Sequence, residues 1–351
     1  MAQPDDMIFM RRCLELAGKA EGHTSPNPLV GAVIVHNGRI IGEGYHLEAG
    51  TPHAEVHAID AVKDKRLLPY SVLYVSLEPC SHHGRTPPCA DLIIRSGIRK
   101  VVIGTGDTSL KVSGRGIERM RQAGIEVVSG VAGDKCREIN RRFFTRHEKQ
   151  RPYVILKWAR SADGFIDTVR APGEAVGPHW ITGMAERILV HKWRAAEDAI
   201  LTGGATIRTD NPSLDVRYWK GKNPVRIIVS RSGNIDPQAK VLNGTAKVKL
   251  FTCKSSITLP GAEVIQINDD QNIAGSVLKI LHEMEMQSVF VEGGAFIISR
   301  FVASDLWDEA RRFTGRMNFG NGVADPFPSF RPDETFSFAK STLEIARNRI
   351  K

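Results

Sequence analysis

Two short stretches of this 351-residue chain hold residue types that could do chemistry together. They are His53-Ala54-Glu55 and Glu78-Pro79-Cys80, the second running on through Ser81-His82-His83-Gly84-Arg85-Thr86-Pro87-Pro88 to Cys89. One imidazole and two thiolates, from His53, Cys80 and Cys89, are three protein ligands for a tetrahedral zinc ion. A fourth position is then left for water, as in a catalytic site and not a structural one. Two thiolates cancel the charge of the metal, so its water needs a base, and Glu55 is placed to take the proton. His82 and His83 lie in the loop between the cysteines, where they shape the pocket or compete as ligands.

These residues need elements that aim them at one point. Residues i and i+2 on a regular helix face nearly opposite sides, so His53 and Glu55 can share a pocket only if His53 sits at the helix start. Thr51-Pro52 before it and Val56, Ile59 and Val62 after it agree with a helix beginning there. Residues 71–77 read as a strand ending at the metal. Pro87-Pro88-Cys89 opens a helix to Gly97, and two helix N-termini would then lower the thiol pKa values. A His-x-Glu at a helix start, a Pro-Cys after a strand and a further cysteine opening a helix together match the zinc nucleobase deaminases.

Around this centre an amphipathic helix is expected over 5–19, with Met7, Met10, Leu14 and Ala17 on its buried stripe. A hairpin of 29–35 and 39–43 turns at Asn37-Gly38. Strands at 100–104 and 125–128 flank a helix at 116–123, which makes an α/β sheet with helices on both faces. Arg151-Pro152 restarts the pattern, and the chain reads as two domains, 1–148 and 149–351. In the second, strands are expected at 153–158, 199–202, 225–230, 248–252, 264–267 and 288–292, with helices at 185–197, 273–285 and 295–300. Gly203-Gly204 and Gly293-Gly294 each follow a strand, where backbone amides can hold phosphate. There is no Gly-x-Gly-x-x-Gly fingerprint. Ser230-Arg231-Ser232 stands where an NAD site would carry an acid, and its cation and hydroxyls suit the 2′-phosphate of NADPH.

A hydrophobic content of 42% and a mean hydropathy of −0.20 are those of a globular protein, with no membrane-length apolar run. The N-terminus lacks a signal-like pattern, and five cysteines are too few and too scattered for a disulfide framework, which points to the cytoplasm. The net charge of +9 would suit nucleic acid or a phosphorylated small molecule. Basic residues are spread out, with one dense run at 137–151 that reads as a solvated face, and no basic helix is interleaved with stacking aromatics. A phosphorylated small molecule is therefore the expected partner, with no nucleic acid, no membrane and a possible homo-oligomer.

Over nearly its whole length the sequence resembles the bifunctional riboflavin-biosynthesis deaminase/reductases. The resemblance rests first on Pro26-Asn27-Pro28-x-Val30-Gly31, Gly42-x-Gly44-Tyr45-His46, Pro52-His53-Ala54-Glu55-Val56-His57-Ala58 and the 77–89 stretch. It implies a cytidine-deaminase-like α/β/α domain in which Asn27, His46, Asp107 and Lys111, the last two in the 107–116 loop, face a pyrimidine and its ribose phosphate. In the second half the resemblance rests on Lys157-x-Ala159-x-Ser161-x-Asp163-Gly164, Trp180-Ile181-Thr182, the 199–206 and 210–217 stretches and Val291-Glu292-Gly293-Gly294. It implies a dihydrofolate-reductase-like α/β domain that uses NADPH. Arg160, Trp180, Thr206, Asp210, Ser230, Arg231 and Gly294 would line the cofactor, and Arg194, Leu214, Arg217 and Glu292 the substrate. Ala162, Pro178-His179 and Thr108-Ser109 depart from the family's pattern. The implied activity is zinc-dependent deamination of a diaminopyrimidinone ribosyl phosphate, then NADPH-dependent reduction of its ribosyl group to ribityl. The rival reading is a nucleic-acid base deaminase whose second domain only holds substrate. The eight residues between Cys80 and Cys89 and the missing aromatic platform count against it.

Overall fold

The structure, a computed structural model, describes residues 4–81, 87–108, 114–171, 174–268 and 272–348. It divides into two compact units, Met1–Gln150 and Arg151–Lys351.

In the first unit the elements are α1 (Pro4–Gly18), β1 (Gly31–His36), β2 (Arg39–Tyr45), α2 (Ala54–Ala61), β3 (Val72–Leu77), α3 (Cys89–Arg95), β4 (Lys100–Thr105), α4 (Arg115–Gln122), β5 (Glu126–Ser129), α5 (Gly133–Ile139) and α6 (Arg141–Lys149). The sheet order is β2-β1-β3-β4-β5, with β1 antiparallel to both neighbours and β3, β4 and β5 parallel. Asn37 and Gly38 both have positive φ, as the tight turn between β1 and β2 requires. Each face of the sheet is covered. Ala58, Ile59, Ile93 and Met120 pack on Ile34, Leu73, Val75 and Ile103 on one side, and Met10, Cys13, Leu16 and Cys136 on Val33, Tyr74 and Val102 on the other.

The stripe expected on the first helix needs correcting. Met7 is 40% exposed, while Asp6, Met10, Cys13, Leu16 and Ala17 are buried. An acid turns inward because its carboxylate accepts a hydrogen bond from the Tyr74 hydroxyl at 2.9 Å, which satisfies it out of water. The basic run departs from a solvated face in two places. Phe143 and Phe144 are buried with Leu77, and Arg151 is largely enclosed in a bidentate pair with Asp308, at 2.5 and 2.9 Å.

The second unit contains β6 (Tyr153–Arg160), β7 (Phe165–Asp167), α7 (Met184–Ala196), β8 (Ala199–Gly203), α8 (Gly204–Asp210), β9 (Val225–Val229), β10 (Val248–Thr252), β11 (Glu263–Gln266), α9 (Ile273–Glu283), β12 (Ser288–Val291), α10 (Ala295–Ala303), β13 (Glu309–Gly315), β14 (Val323–Ala324), β15 (Glu334–Ser337) and β16 (Ser341–Arg347). Nine strands form one sheet in the order β11-β10-β9-β8-β12-β6-β13-β16-β15. Seven strands, from β11 to β13, run parallel, and β16 and β15 close the edge antiparallel. The parallel strands are apolar on both faces because helices cover both: Val154, Leu156 and Val289 face one core, Ile155, Ile200 and Phe290 the other.

Candidate active sites of the two units

His53 is the N-cap of α2, extended at φ −76° and ψ 167°, so its ring leaves the chain before helical geometry begins. Glu55, one residue inside the helix, can then face the same way. The three ligand atoms of His53, Cys80 and Cys89 all lie within 4.8 Å of one another. The His53 Nδ1 is 3.2 Å from the Cys89 sulfur and 3.6 Å from that of Cys80. Cys89 opens α3, and its backbone N–H donates to the Cys80 sulfur at 3.3 Å, so one helix N-terminus supports that thiolate directly. The Cys89 thiol, then the His53 ring and the Cys89 N–H, draw the Cys80 thiol down to about 4 against the cost of its burial. The Cys80 sulfur in turn, with burial, pushes Cys89 up. An imidazole and two sulfurs at this spacing are the borderline-soft donor set that suits zinc.

Glu55 is buried, which raises its carboxyl above the usual range and keeps it able to take and return a proton. His46 lies edge-on to His53, with ring centroids 5.3 Å apart. Its Nδ1 is 3.1 Å from the Pro52 carbonyl, which can only accept, so Nδ1 carries the proton. Nε2 therefore accepts from the Asn27 amide at 3.0 Å. Burial lowers the His46 pKa and so favours this neutral form. Asn27, His46 and His53 thus form one continuous wall.

Asp107 enters through a residue to which the sequence reading assigned no role. Glu78, at 4% exposure, accepts from the N–H groups of Asp107, Gly114, Gly116 and Ile117 at 3.0 to 3.3 Å. The one available signal is its place two residues before a candidate metal-ligating cysteine. Lys111, His82 and His83 lie outside the described residues.

In the second unit the site residues collect where β8, β12 and β6 end on the same side, the carboxyl edge at which parallel sheets bind ligands. Glu292, just past β12, receives Arg194 of α7 bidentately at 2.6 and 3.0 Å, and Lys157 of β6 at 3.4 Å. Burial alone would raise its pKa, but Arg194 and Lys157 outweigh it and hold the carboxyl at about 2. The third Arg194 contact is to the Asp215 carbonyl at 2.9 Å. One turn earlier on α7, His191 accepts the Arg217 N–H on Nδ1 at 3.1 Å. Leu214, buried at φ +50°, bends the chain so that 215–217 meet α7. Burial, then Arg194 and Arg217, lowers His191 to about 4, so it remains a neutral acceptor.

The two glycine turns meet, because the Gly294 N–H donates to the Thr206 hydroxyl at 3.1 Å. A Cβ on Gly204 would lie 2.8 Å from the Ser230 side chain, so the end of β9 packs on the turn that starts α8. Ser230 is buried there, and Arg231 and Ser232 are exposed beside it. These close approaches bring the two glycine turns, Thr206 and Ser230 together at one place, where a side chain on Gly204 or Gly294 would intrude. The other expected cofactor residues each have partners of their own. Asp210 receives Arg170 at 2.9 Å, Trp180 is 52% exposed under the Arg187 guanidinium at 4.4 Å, and Arg160 binds Thr314 and Asp325, each at 3.1 Å. Lys157 and His191 are further residues to which the sequence reading assigned no role. Lys157 stood inside a quoted motif, whereas nothing around His191 marked it.

Comparison with known proteins gives concordant results. Residues 3–105 match the family model of the cytidine and deoxycytidylate deaminase zinc-binding region, and residues 152–341 that of the RibD C-terminal domain. The chain is 39% identical over 331 residues to the riboflavin biosynthesis protein RibD of Aquifex aeolicus, covering 92% of this chain and 90% of that one. It is 35% identical over 321 residues to the Escherichia coli protein of the same name, covering 87% and 86%. The crystal structure of a diaminohydroxyphosphoribosylaminopyrimidine deaminase/5-amino-6-(5-phosphoribosylamino)uracil reductase from Thermotoga maritima superposes with a TM-score of 0.87 at 38% identity, covering 98% of both chains. An Acinetobacter baumannii RibD structure superposes at 0.86 with 32% identity, covering 97% and 98%.

Proposed function

The chain belongs to the RibD family of bifunctional riboflavin-biosynthesis enzymes, and from that premise we propose how its own residues divide the two reactions. The enzyme is a zinc-dependent deaminase and an NADPH-dependent reductase of a phosphorylated pyrimidine, within a mixed α/β fold that joins a deaminase-like and a dihydrofolate-reductase-like part.

His53, Cys80 and Cys89 hold the zinc, which when bound acts as a Lewis acid and lowers the pKa of water. Glu55 takes a proton from the attacking water and returns it to the departing amino group, so that oxygen replaces nitrogen on the pyrimidine and ammonia leaves. Asn27, its amide oriented by His46, and Asp107 fix the ring and its ribosyl group. The observation that carries this assignment is the convergence of three ligand atoms within 4.8 Å beside a buried Glu55.

In the reductase, bound NADPH would supply a hydride to the ribosyl C1′ as the bond from C1′ to the ring oxygen breaks, and that oxygen needs a proton from the chain. Glu292 is ionised at neutral pH and cannot give one, so Lys157, 3.4 Å away, is the donor that fits. Arg217 supplies positive charge to the substrate, while Arg194 holds Glu292 and the 215–217 turn beside it and Leu214 shapes the wall between them. Thr206, the Gly294 turn, Ser230 and Arg231 receive the nucleotide, with Arg231 beside its 2′-phosphate. Trp180, Asp210 and Arg160 line the approach. No helix among the described residues is long and apolar enough to cross a membrane. Cytoplasmic location, with neither nucleic acid nor membrane as partner and assembly as a homo-oligomer, accords with the few, scattered cysteines and the spread of charge. Incubating the protein with the diaminopyrimidinone substrate should release ammonia without NADPH, and should consume NADPH only after deamination. NADPH oxidation with no ammonia released would overturn the assignment.

A further inference from the structure

We infer that Glu78 is a positioning residue for deamination, holding Asp107 and the start of α4 against the strand end that leads to Cys80. β3 and β4 run parallel with Leu77 opposite Thr105, so the chain leaves both strands side by side. Glu78 is fixed by its own N–H, which donates to the Thr105 carbonyl at 3.0 Å. Its Oε2 accepts from Asp107 at 3.3 Å and Gly114 at 3.0 Å, and its Oε1 from Gly116 at 3.0 Å and Ile117 at 3.3 Å. An ionised carboxylate has about four acceptor sites, and four backbone donors fill them. The next residue completes the clamp. A Cβ on Gly116 would lie 2.1 Å from the Pro79 carbonyl oxygen, so the start of α4 rests directly on the Glu78-Pro79-Cys80 backbone. Cys80 then turns to the metal. The Glu78-Pro79-Cys80 backbone thereby sets the distance between Asp107 and Cys80, and with it the fit of the ribosyl group.

The inference rests on the reading of Asp107 as a substrate residue, and three variants separate the two. Glu78→Gln keeps the shape but turns one acceptor oxygen into a donor amide, which two of the four N–H groups cannot use. It should raise the deaminase KM about tenfold or more while kcat stays within about threefold, with zinc content and reduction of supplied intermediate unchanged. Gly116→Ala pushes the start of α4 off the Pro79 carbonyl with Glu78 intact and should give the same split, which keeps the test open if Glu78→Gln does not fold. Wild-type KM in either folded variant, or a fall in kcat at constant KM, overturns the inference. If Asp107→Asn leaves KM unchanged while Glu78→Gln raises it, the positioning role stands and Asp107 is not the residue positioned. If Asp107→Asn raises KM and Glu78→Gln does not, the substrate reading stands and the positioning role falls.

Discussion

In the first unit, three candidate ligand atoms and a candidate base come from two stretches, 53–55 at the start of α2 and 80–89 between the end of β3 and the start of α3. In the second, the Glu292 carboxylate is met by Lys157 from β6 and Arg194 from α7, and Arg194 and His191 hold a loop at 215–217. The first site is local in sequence and the second is distributed over residues 157–292. A metal demands a few residue types at short range, and that demand shows as a motif. An ion-pair cluster demands only that opposite charges be enclosed together, and many arrangements satisfy it.

Four substitutions sharpen this contrast. Glu55→Gln preserves shape and the three ligands, so deamination should fall by about 10² to 10⁴ with zinc retained and reduction of supplied intermediate intact. An ammonia assay alongside metal analysis checks it, and equal loss of both activities would mean that the local site is not self-contained. Arg194→Met leaves the buried Glu292 with Lys157 alone. Breaking a buried pair costs about 3–5 kcal/mol, so the second unit should melt earlier and lose reductase activity while ammonia release persists. Calorimetry with both assays decides, and an unchanged melting point would remove the ion pair from the account of that unit.

Arg231→Ala should weaken NADPH by about ten- to a hundredfold and NADH far less, since only NADPH carries the 2′-phosphate for a charge-assisted bond. Titration of both cofactors tests this, and equal losses would place Arg231 outside the site. The smallest effect concerns His191. Its folded pKa of about 4 lies below the ordinary 6.5, so between those values the unfolded chain binds a proton that the folded one does not. The stability it contributes is full above pH 6.5 and is lost as pH falls toward 4. His191→Asn keeps an acceptor for the Arg217 N–H without the titration, so its melting temperature should decline less from pH 7 to 5 than that of the wild type. Parallel declines would show that other groups dominate.

How much could be read beforehand follows the same division. The β1–β2 hairpin, the strand into Cys80 and the parallel strands of the second unit were legible because apolar runs and glycine turns report directly on burial. The strand β13, Glu-Ala-Arg-Arg-Phe-Thr-Gly, was not, since its charges suggest a surface. In the fold Arg311 is paired with Glu309 at 2.6 Å, and Arg312 with Glu344 at 2.9 Å and Asp325 at 3.2 Å, all enclosed. Asp6 misled in the same way, its Tyr74 partner lying 68 residues along the chain.

By itself, the order of residues marked His53, Cys80 and Cys89 as a candidate metal-ligating set with Glu55 beside it, and the alternation of strands and helices. Those depend on residue type at fixed short spacing, which is a property of the chain. Which carboxylates are buried and by what they are neutralised was decided by the tertiary structure alone. Glu78 and Glu292 are both acids after a strand, yet one gathers four backbone amides and the other an arginine and a lysine. The difference arises because a charge removed from water must be met by whatever donors the fold brings to it, and those donors come from distant parts of the chain.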